Sequence, residues 1–226
     1  MIIAIDGPAA AGKGTLSRRL AAEFFLAHLD TGLLYRAVAA RVISLDLDPL
    51  DEKAVSGVAR TIGKIKAAEG ELREEKVGLV ASVIATQKEV RLALLKYQRE
   101  FSKAPPGSAL GAILDGRDVG SVVLPAADVK FFVTASQEAR AERRYRELLG
   151  RGVPSIRSRV LQEIRERDER DCRRKLSPLV PSEDALLLDT TEMDADSAFE
   201  EAKAFVVQVS GARGLSARVW GTGSQI

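Results

Sequence analysis

The chain opens with "IIAIDGPAAAGKGT", residues 2–15, and this stretch determines the class of fold. Its first five residues form a short apolar run that stops at Gly7, which is typical of a buried parallel strand. A glycine-rich loop follows. The next stretch, "GTLSRRLAAEFF", then places Leu16, Leu20 and Phe24 four residues apart, the spacing of one helix face. The order predicted is therefore strand, tight loop, helix.

The loop "GPAAAGKGT" fits the first seven places of the pattern G-x-x-x-x-G-K and lies between a predicted strand and a predicted helix. Backbone amides of such a loop point at an anion, and the lysine adds a compact positive charge. We expect a nucleoside triphosphate to bind at Gly7, Pro8, Ala9, Ala10, Ala11, Gly12, Lys13, Gly14 and Thr15. Because Gly14 replaces the usual hydroxyl residue after Lys13, Mg²⁺ is expected to be held mainly through the nucleotide and water.

Apolar runs alternate with helical patterns along the rest of the chain. The later runs "LAHLD", "LGAILD", "DVKFFVTA" and "DALLLD" predict further strands. The alternation predicts an α/β fold with a doubly wound, parallel, five-stranded sheet and flanking helices. An aspartate closes four of the strand runs, at Asp6–Gly7, Asp30–Thr31, Asp115–Gly116 and Asp189–Thr190, where such sheets bind ligands. Asp115 suits a carboxylate near magnesium-bound water.

The helical segments differ in how well their ends are marked. Thr31 and Ser136 are expected to cap the helices that follow them. Residues 51–103 are predicted to be mostly helical, although "GKIKAAEGELREEK" within them fits no element. A long polar helix is predicted over residues 155–175. The tail, residues 210–226, is a candidate for disorder.

Composition excludes several classes of protein. The 226 residues are 46% hydrophobic and 29% charged, as in a globular domain. No apolar run approaches the roughly 18 residues of a membrane span, and a net charge of +2 gives no reason to expect nucleic acid. A single cysteine, Cys172, forms no internal disulfide, which favours a cytoplasmic location. The one histidine, His28, is interpreted as structural, and one His with one Cys argue against a zinc site.

Charge is nevertheless concentrated locally. Residues 140–175 hold about 13 basic and 7 acidic side chains, which favours a small anionic ligand. Within them "RERDERDCRRK", residues 165–175, separates by angle into two helix faces. At about 100° per residue, one face gathers Arg167, Arg170, Asp171 and Arg174. The opposite face, with Asp168, Glu169, Cys172 and Arg173, mixes signs as a solvated face does.

Several motifs together resemble those of bacterial cytidylate kinases. They are "LDTGLLYR", "ILDGRDVGSVV", "RERDERDCRRKLSPLVP" and "DALLLDTT", and with the phosphate loop they spread the resemblance from residue 2 to about 208. The resemblance implies a monomeric P-loop kinase that transfers a phosphoryl group from ATP to CMP or dCMP with Mg²⁺. The chain differs from many family members near residues 64–77, where it has a short charged stretch in place of a larger insertion.

The resemblance also assigns residues. It implies that substrate is bound by Thr31, Tyr35, Arg36, Ser82, Arg91, Asp118, Arg167, Asp171 and Arg174. It implies catalytic roles for Arg117, Arg167 and Arg174 beside Lys13. The residues themselves leave alternatives: Tyr35 also suits core packing, and Asp118 also suits a helix cap. Any of the neighbouring arginines Arg140, Arg143 and Arg144 is a candidate for contacting ATP.

The whole chain is interpreted as one kinase domain with two specialised segments. Residues 1–50, 104–149 and 181–209 form the predicted core, residues 51–103 a monophosphate-binding insertion, and residues 150–180 a lid. Two other functions stay open at this point. One is a different small P-loop kinase, of the UMP/CMP or shikimate type; the other is an ATP-binding module without catalysis.

Overall fold

A computed structural model describes residues 1–65 and 69–212 of the chain. Within these residues the strands are β1 (Ile2–Asp6), β2 (Ala27–Asp30), β3 (Ala112–Gly116), β4 (Val129–Thr134) and β5 (Leu186–Asp189). The helices are α1 (Lys13–Glu23), α2 (Thr31–Ser44), α3 (Glu52–Ala59), α4 (Glu69–Leu72), α5 (Glu75–Ile84), α6 (Lys88–Lys103), α7 (Gln137–Gly150), α8 (Arg157–Cys172) and α9 (Ala195–Ala212).

The strands form one sheet in the order β2-β3-β1-β4-β5. β1 pairs in parallel with β3, where Ile3 lies opposite Ile113, and with β4, where Ile5 lies opposite Phe131. The chain leaves β1 toward β2 but leaves β4 toward β5, so the winding reverses between the neighbours β1 and β4. Ligands of such sheets bind at the carboxyl ends of the strands beside this point. The predicted doubly wound parallel sheet is confirmed, and the phosphate loop follows β1 at the reversal.

One compact unit, Met1–His28 with Pro105–Ile226, contains most of the sheet. Its core is built from side chains on one face of β1 and β4; Ile3, Ile5 and Phe131 are at most 1% exposed. Leu20 of α1 and Phe199 of α9 belong to the same apolar cluster. β1 is thereby held by this packing and by its pairing with β3 and β4, so the loop that follows starts from a rigid strand.

Residues Leu29–Ala104 form a second compact unit with its own core. Val38, Val55, Ile84 and Leu94 are fully buried there and come from α2, α3, α5 and α6. The predicted helical character of residues 51–103 is confirmed for the described part. Compactness groups α2 with these helices, and the assignment of residues 51–103 to monophosphate binding stays a prediction.

Two helix starts illustrate local control by capping. Ser136 caps α7 as predicted, accepting a hydrogen bond from the Ala139 amide at 3.2 Å. Thr31 does not cap α2. It is the first helical residue, and Asp30 is the cap, with its carboxylate accepting from the Leu33 amide at 3.2 Å. Asp30 is the cap in place of Thr31 because the Asp30 side chain, one residue earlier in the chain, satisfies the Leu33 amide at the helix start.

Other predicted segments end differently. The stretch "GKIKAAEGELREEK" contributes to a 3₁₀ turn, Ile62–Lys64, then to α4 and the start of α5. Of the tail predicted from residue 210, the first three residues belong to α9 and the rest lies outside the described residues. None of the described helices is long and apolar enough to cross a membrane.

Candidate active site

The loop between β1 and α1 takes a backbone path that favours glycine at two positions. Gly7 has φ of 146°, and a β-carbon there would lie 1.9 Å from the Val133 carbonyl oxygen. Gly12 has φ of 94° and precedes α1. Lys13, the first residue of that helix, is buried and donates a hydrogen bond from Nζ to the Pro8 carbonyl at 2.6 Å. The chain therefore curls tightly around the start of α1, as a phosphate loop requires.

Neighbouring elements hold the carbonyl groups of this loop. The Thr190 hydroxyl, after β5, donates to the Ala11 carbonyl at 3.1 Å. The Arg140 guanidinium of α7 lies 3.4 Å from the Ala9 carbonyl. Both supports come from the carboxyl side of the sheet, so the loop conformation is fixed by long-range contacts as well as by its glycines.

Asp115, near the end of β3, is buried beside the start of α1. Its Oδ2 lies 3.7 Å from the position that a β-carbon at Gly14 would take, and its Oδ1 lies 3.4 Å from His28 Nε2. Within the described residues, no group of three or more His, Cys, Asp or Glu side chains could hold a metal ion. The carboxylate of Asp115 lies beside Gly14, and the hydroxyl of Thr15 is on the next residue of the chain. This sparse set fits a magnesium ion that arrives with a nucleotide and keeps its waters.

Arg117 and Asp171 join the "DGRD" motif to α8. Arg117 Nε donates to Asp171 Oδ2 at 2.9 Å, and the two side chains are 19% and 12% exposed. Burial works to raise the pKa of Asp171, but the charges of Arg117, Arg167 and Arg174 outweigh it and hold that pKa below its usual range. The carboxylate is thus the shared anion of three arginines that the sequence assigned to phosphate.

The predicted helix over residues 155–175 is too long, because α8 ends at Cys172. The Leu179 amide binds the Asp171 carbonyl at 2.9 Å and takes the acceptor that a continuing helix would need. Arg174 therefore lies beyond the helix, and its predicted place on one helical stripe is wrong. It returns to the same carboxylate, with Nη2 3.8 Å from Asp171 Oδ1. Arg170, on the predicted stripe, is exposed.

The interpretation of Asp168 as part of a solvated face is also wrong. Its two carboxylate oxygens accept from Arg140 Nη1 at 3.0 Å and Nη2 at 2.6 Å, and Arg140 is 3% exposed. Arg143 donates to the Thr190 hydroxyl at 2.9 Å, and Arg144 pairs with Glu147 at 2.8 Å. These contacts give all three candidate arginines of α7 a structural partner, and a contact with ATP stays untested.

In the second unit, α2 places Thr31, Tyr35 and Arg36 within its first turns. Thr31 is 5% exposed, and Tyr35 packs at the edge of the unit's core. The Arg91 guanidinium carbon lies 5.9 Å from the centroid of the Tyr35 ring, a cation–π distance. Tyr35 therefore both packs in the core and contacts a predicted site arginine, so its two alternatives are compatible.

The guanidinium group of Arg36 packs against Gly78, where no side chain blocks its approach. Its Nη1 donates to the Leu72 carbonyl at 2.8 Å, and a β-carbon at Gly78 would lie 2.9 Å from its Nη2. Ser82, half-buried, follows Gly78 by one turn on the same face of α5. The second unit thus gathers Arg36 and Ser82 on one side of α5, and the first unit gathers Arg117, Arg167, Asp171 and Arg174.

Asp118 is 8% exposed and precedes a five-residue π-helical turn, Val119–Val123. Asp118 stands at the N-cap position of that turn, but the first two amides of the turn, Val119 and Gly120, are bound by another residue. The capping carboxylate is Asp6, which accepts from the Val119 and Gly120 amides, both at 2.7 Å. The sequence places Asp6 among the aspartates at the ligand-binding ends of the strands but gives it no individual role. Its only signal was an acidic residue at the end of a buried strand.

Comparison with known proteins agrees with this arrangement. A cytidylate kinase family model matches residues 3–208. A protein of Paramagnetospirillum magneticum named cytidylate kinase is 53% identical over 89% of this chain and 95% of its own length. One of Acidiphilium cryptum with the same name is 51% identical over 92% and 96%. A solved structure of an uncharacterized protein from Eubacterium ventriosum shares the fold, with a TM-score of 0.55 at 13% identity over 92% of this chain and 98% of that one. The chain belongs to the cytidylate kinase family.

Proposed function

We propose that this protein transfers the terminal phosphoryl group of ATP to CMP or dCMP and releases ADP with CDP or dCDP. Family membership supports the activity, and one structural observation carries it most directly. The phosphate loop follows β1 at the point where the sheet reverses, and the arginines gathered around Asp171 belong to the same unit. A reaction between two polyanions needs such cations more than it needs a base.

The proposed chemistry is a direct in-line displacement. A phosphate oxygen of the acceptor forms a bond to the γ-phosphorus of ATP, while the bond from that phosphorus to the bridging oxygen of ADP breaks. The second pKa of a phosphate monoester is about 6, so the acceptor is already largely ionised at neutral pH. No proton must be removed, which agrees with the structural role assigned to His28.

Individual residues divide the work in this proposal. Lys13 and the loop amides bind the β- and γ-phosphates of ATP. Arg117, Arg167 and Arg174 neutralise charge on the transferring group, oriented by their shared carboxylate Asp171. Asp115 and Thr15 would help to hold a magnesium ion that arrives with ATP, and the ion would supply further positive charge to the phosphates. Monophosphate binding is assigned to Thr31, Tyr35, Arg36, Ser82, Arg91 and Asp118.

The activity is tested by following ADP release with a panel of acceptors. CMP and dCMP should be turned over well, and UMP, AMP, GMP and shikimate poorly. No turnover with CMP, or a preference for a purine nucleotide, would end the proposal. The UMP arm and the shikimate arm separate the other kinases considered from sequence, and ATP binding without any turnover would indicate a binding module.

Three further parts of the proposal concern the whole protein. We expect it to be monomeric, to act in the cytoplasm and to bind no nucleic acid. The first is checked by light scattering across a hundredfold range of concentration. A mass that doubles over this range would contradict it.

A further inference from the structure

The π-helical turn that follows Asp118 is fastened by a residue far away in sequence. Asp6, at the end of β1, is 4% exposed and accepts one backbone N–H on each carboxylate oxygen. The donors, Val119 and Gly120, are the first two residues of the turn. Both distances are 2.7 Å, in the range of charge-assisted hydrogen bonds.

This arrangement reverses the usual pattern of capping. The residue that precedes a helical turn ordinarily uses its own side chain to satisfy the first free amides. Here Asp118 occupies that place, and the cap comes from Asp6 instead. π-helical turns of this kind recur at functional sites.

Close packing keeps the turn in register with Asp6. A β-carbon at Gly120 would lie 3.4 Å from Asp6 Oδ2, 3.2 Å from Lys130 Cδ and 3.2 Å from Ser182 Oγ. The turn also packs against β1 and β3. Since no side chain projects at Gly120, its amide approaches the buried carboxylate closely enough for a short hydrogen bond.

We propose that Asp6 is a positioning residue, which fixes the backbone after Asp118 so that the Asp118 carboxylate is held in place for the monophosphate acceptor. The inference rests on the proposed function, because it concerns the acceptor that Asp118 binds. Asp6 itself touches no substrate in this account. Its effect on the reaction passes through the Val119 and Gly120 amides and through Asp118.

A double-mutant cycle tests the proposal on the intact chain. Asp6→Asn keeps one acceptor oxygen but turns an NH₂ group toward a backbone N–H. We expect it to raise KM for CMP about tenfold, the loss of one charge-assisted hydrogen bond, and to change KM for ATP less than twofold. In an Asp118→Ala background the same substitution should change KM for CMP less than twofold, because its effect is transmitted through Asp118.

A matched control separates positioning from stability. Asp128 accepts from the Ile2 amide at 2.7 Å, at the other end of the same strand. Asp128→Asn should lower the melting temperature and leave both KM values unchanged. If Asp6→Asn misfolds, Gly120→Ala gives the second test, because its methyl group would lie 3.2 Å from Lys130 Cδ and from Ser182 Oγ and would displace the turn that Asp6 holds. That variant should raise KM for CMP about threefold, a loss within the range for a weakened hydrogen bond, with KM for ATP unchanged.

Amide hydrogen exchange at Val119 and Gly120 completes the experiment. Asp6→Asn should speed exchange at both amides, and Asp118→Ala should not. If no acceptor is turned over by the wild type, the proposed function and the positioning role fail together. If CMP is phosphorylated but the effects of the two substitutions simply multiply, or KM for ATP rises in parallel, only the positioning role is overturned.

Discussion

Asp6 also sets a residue-scale prediction about pH. Burial raises its pKa from 3.8 to about 6, against the hydrogen bonds from Gly120 and Val119; the nearby charge of Asp118 raises it and that of Lys13 lowers it. A folded-state pKa above the unfolded value gives stability that is full below pH 3.8 and lost as pH rises through about 6. The unfolding free energy of wild type minus that of Asp6→Asn should therefore fall by about 2 kcal/mol between pH 4 and pH 7.

Urea titrations at each pH measure this difference. Asp171→Asn is the control of opposite sign. Burial raises the pKa of Asp171, but its three arginines lower it more, so this pKa lies below 3.8. The stability that the Asp171 carboxylate contributes is therefore lost mainly at pH values below the range from pH 4 to pH 7. Its difference from wild type should stay nearly flat from pH 4 to pH 7. Parallel curves for wild type and Asp6→Asn would contradict the assignment.

Lys13 and Lys130 form a natural pair for separating catalysis from stability. Both are buried, and each donates from Nζ to a proline carbonyl five residues earlier, Pro8 at 2.6 Å and Pro125 at 2.7 Å. Lys13 alone lies in the phosphate loop, and Lys130 instead pairs with Asp184. We expect Lys13→Ala to lower kcat at least about a hundredfold with little loss of stability.

Lys130→Ala should show the opposite balance. It removes a buried ammonium group that donates to the Pro125 carbonyl and pairs with the exposed carboxylate of Asp184, so its melting temperature should fall, and kcat should change far less than in Lys13→Ala. Steady-state kinetics and thermal unfolding of the two variants are compared side by side. Equal losses of kcat would mean that Lys13 acts through the fold and not on the phosphates.

At the scale of elements, an ion pair between Arg140 and Asp168 links α7 to α8. The pair is bidentate and its side chains are 4% and 16% exposed. Removal of one partner leaves the other charge buried and unpaired. We expect Asp168→Ala to lower the unfolding free energy by about 3 kcal/mol. The exposed pair Arg159–Glu163 on the same helix is the control, and Glu163→Ala should cost about 0.5 kcal/mol or less.

Hydrogen exchange shows which helices lose stability when the Arg140–Asp168 ion pair is removed. In Asp168→Ala, amides of α8 should exchange faster while amides of β1 change less, because Asp168 lies on α8 and its partner Arg140 lies on α7. If the loss of stability in Asp168→Ala is no larger than in Glu163→Ala, the Arg140–Asp168 ion pair does not stabilise the packing of α8 on α7.

What could be predicted from sequence at this scale follows the range of the interactions. The sequence predicts β1 with its observed bounds, because an apolar run is a local signal. The end of α8 was missed, since it depends on the Leu179 amide returning to Asp171. The turn after Asp118 was missed for the same reason, because its cap lies 113 residues earlier in the chain. Asp168 was misplaced because its partner is on another helix.

On the scale of the whole molecule, the first unit is built from two separate segments of the chain and the second from one. The first unit pairs strands from distant segments, as in Ile3 opposite Ile113. The second, Leu29–Ala104, is one continuous stretch of helices with a separate core. Its opening would replace a folded insertion by a long loop, and the entropy of closing a loop grows only slowly with length. The second unit should therefore open while the sheet stays intact.

A matched pair of buried leucines tests this independence. Leu94 of α6 and Leu20 of α1 are both 0% exposed, one in each core. Leu94→Ala should lower the opening free energy of amides in α2, α5 and α6 by about 3 kcal/mol and leave amides of β1 and β4 unchanged. Leu20→Ala should act on β1 and β4. Native-state hydrogen exchange at low denaturant measures both sets, and equal losses at all of these amides in Leu94→Ala would mean that the chain unfolds as one unit.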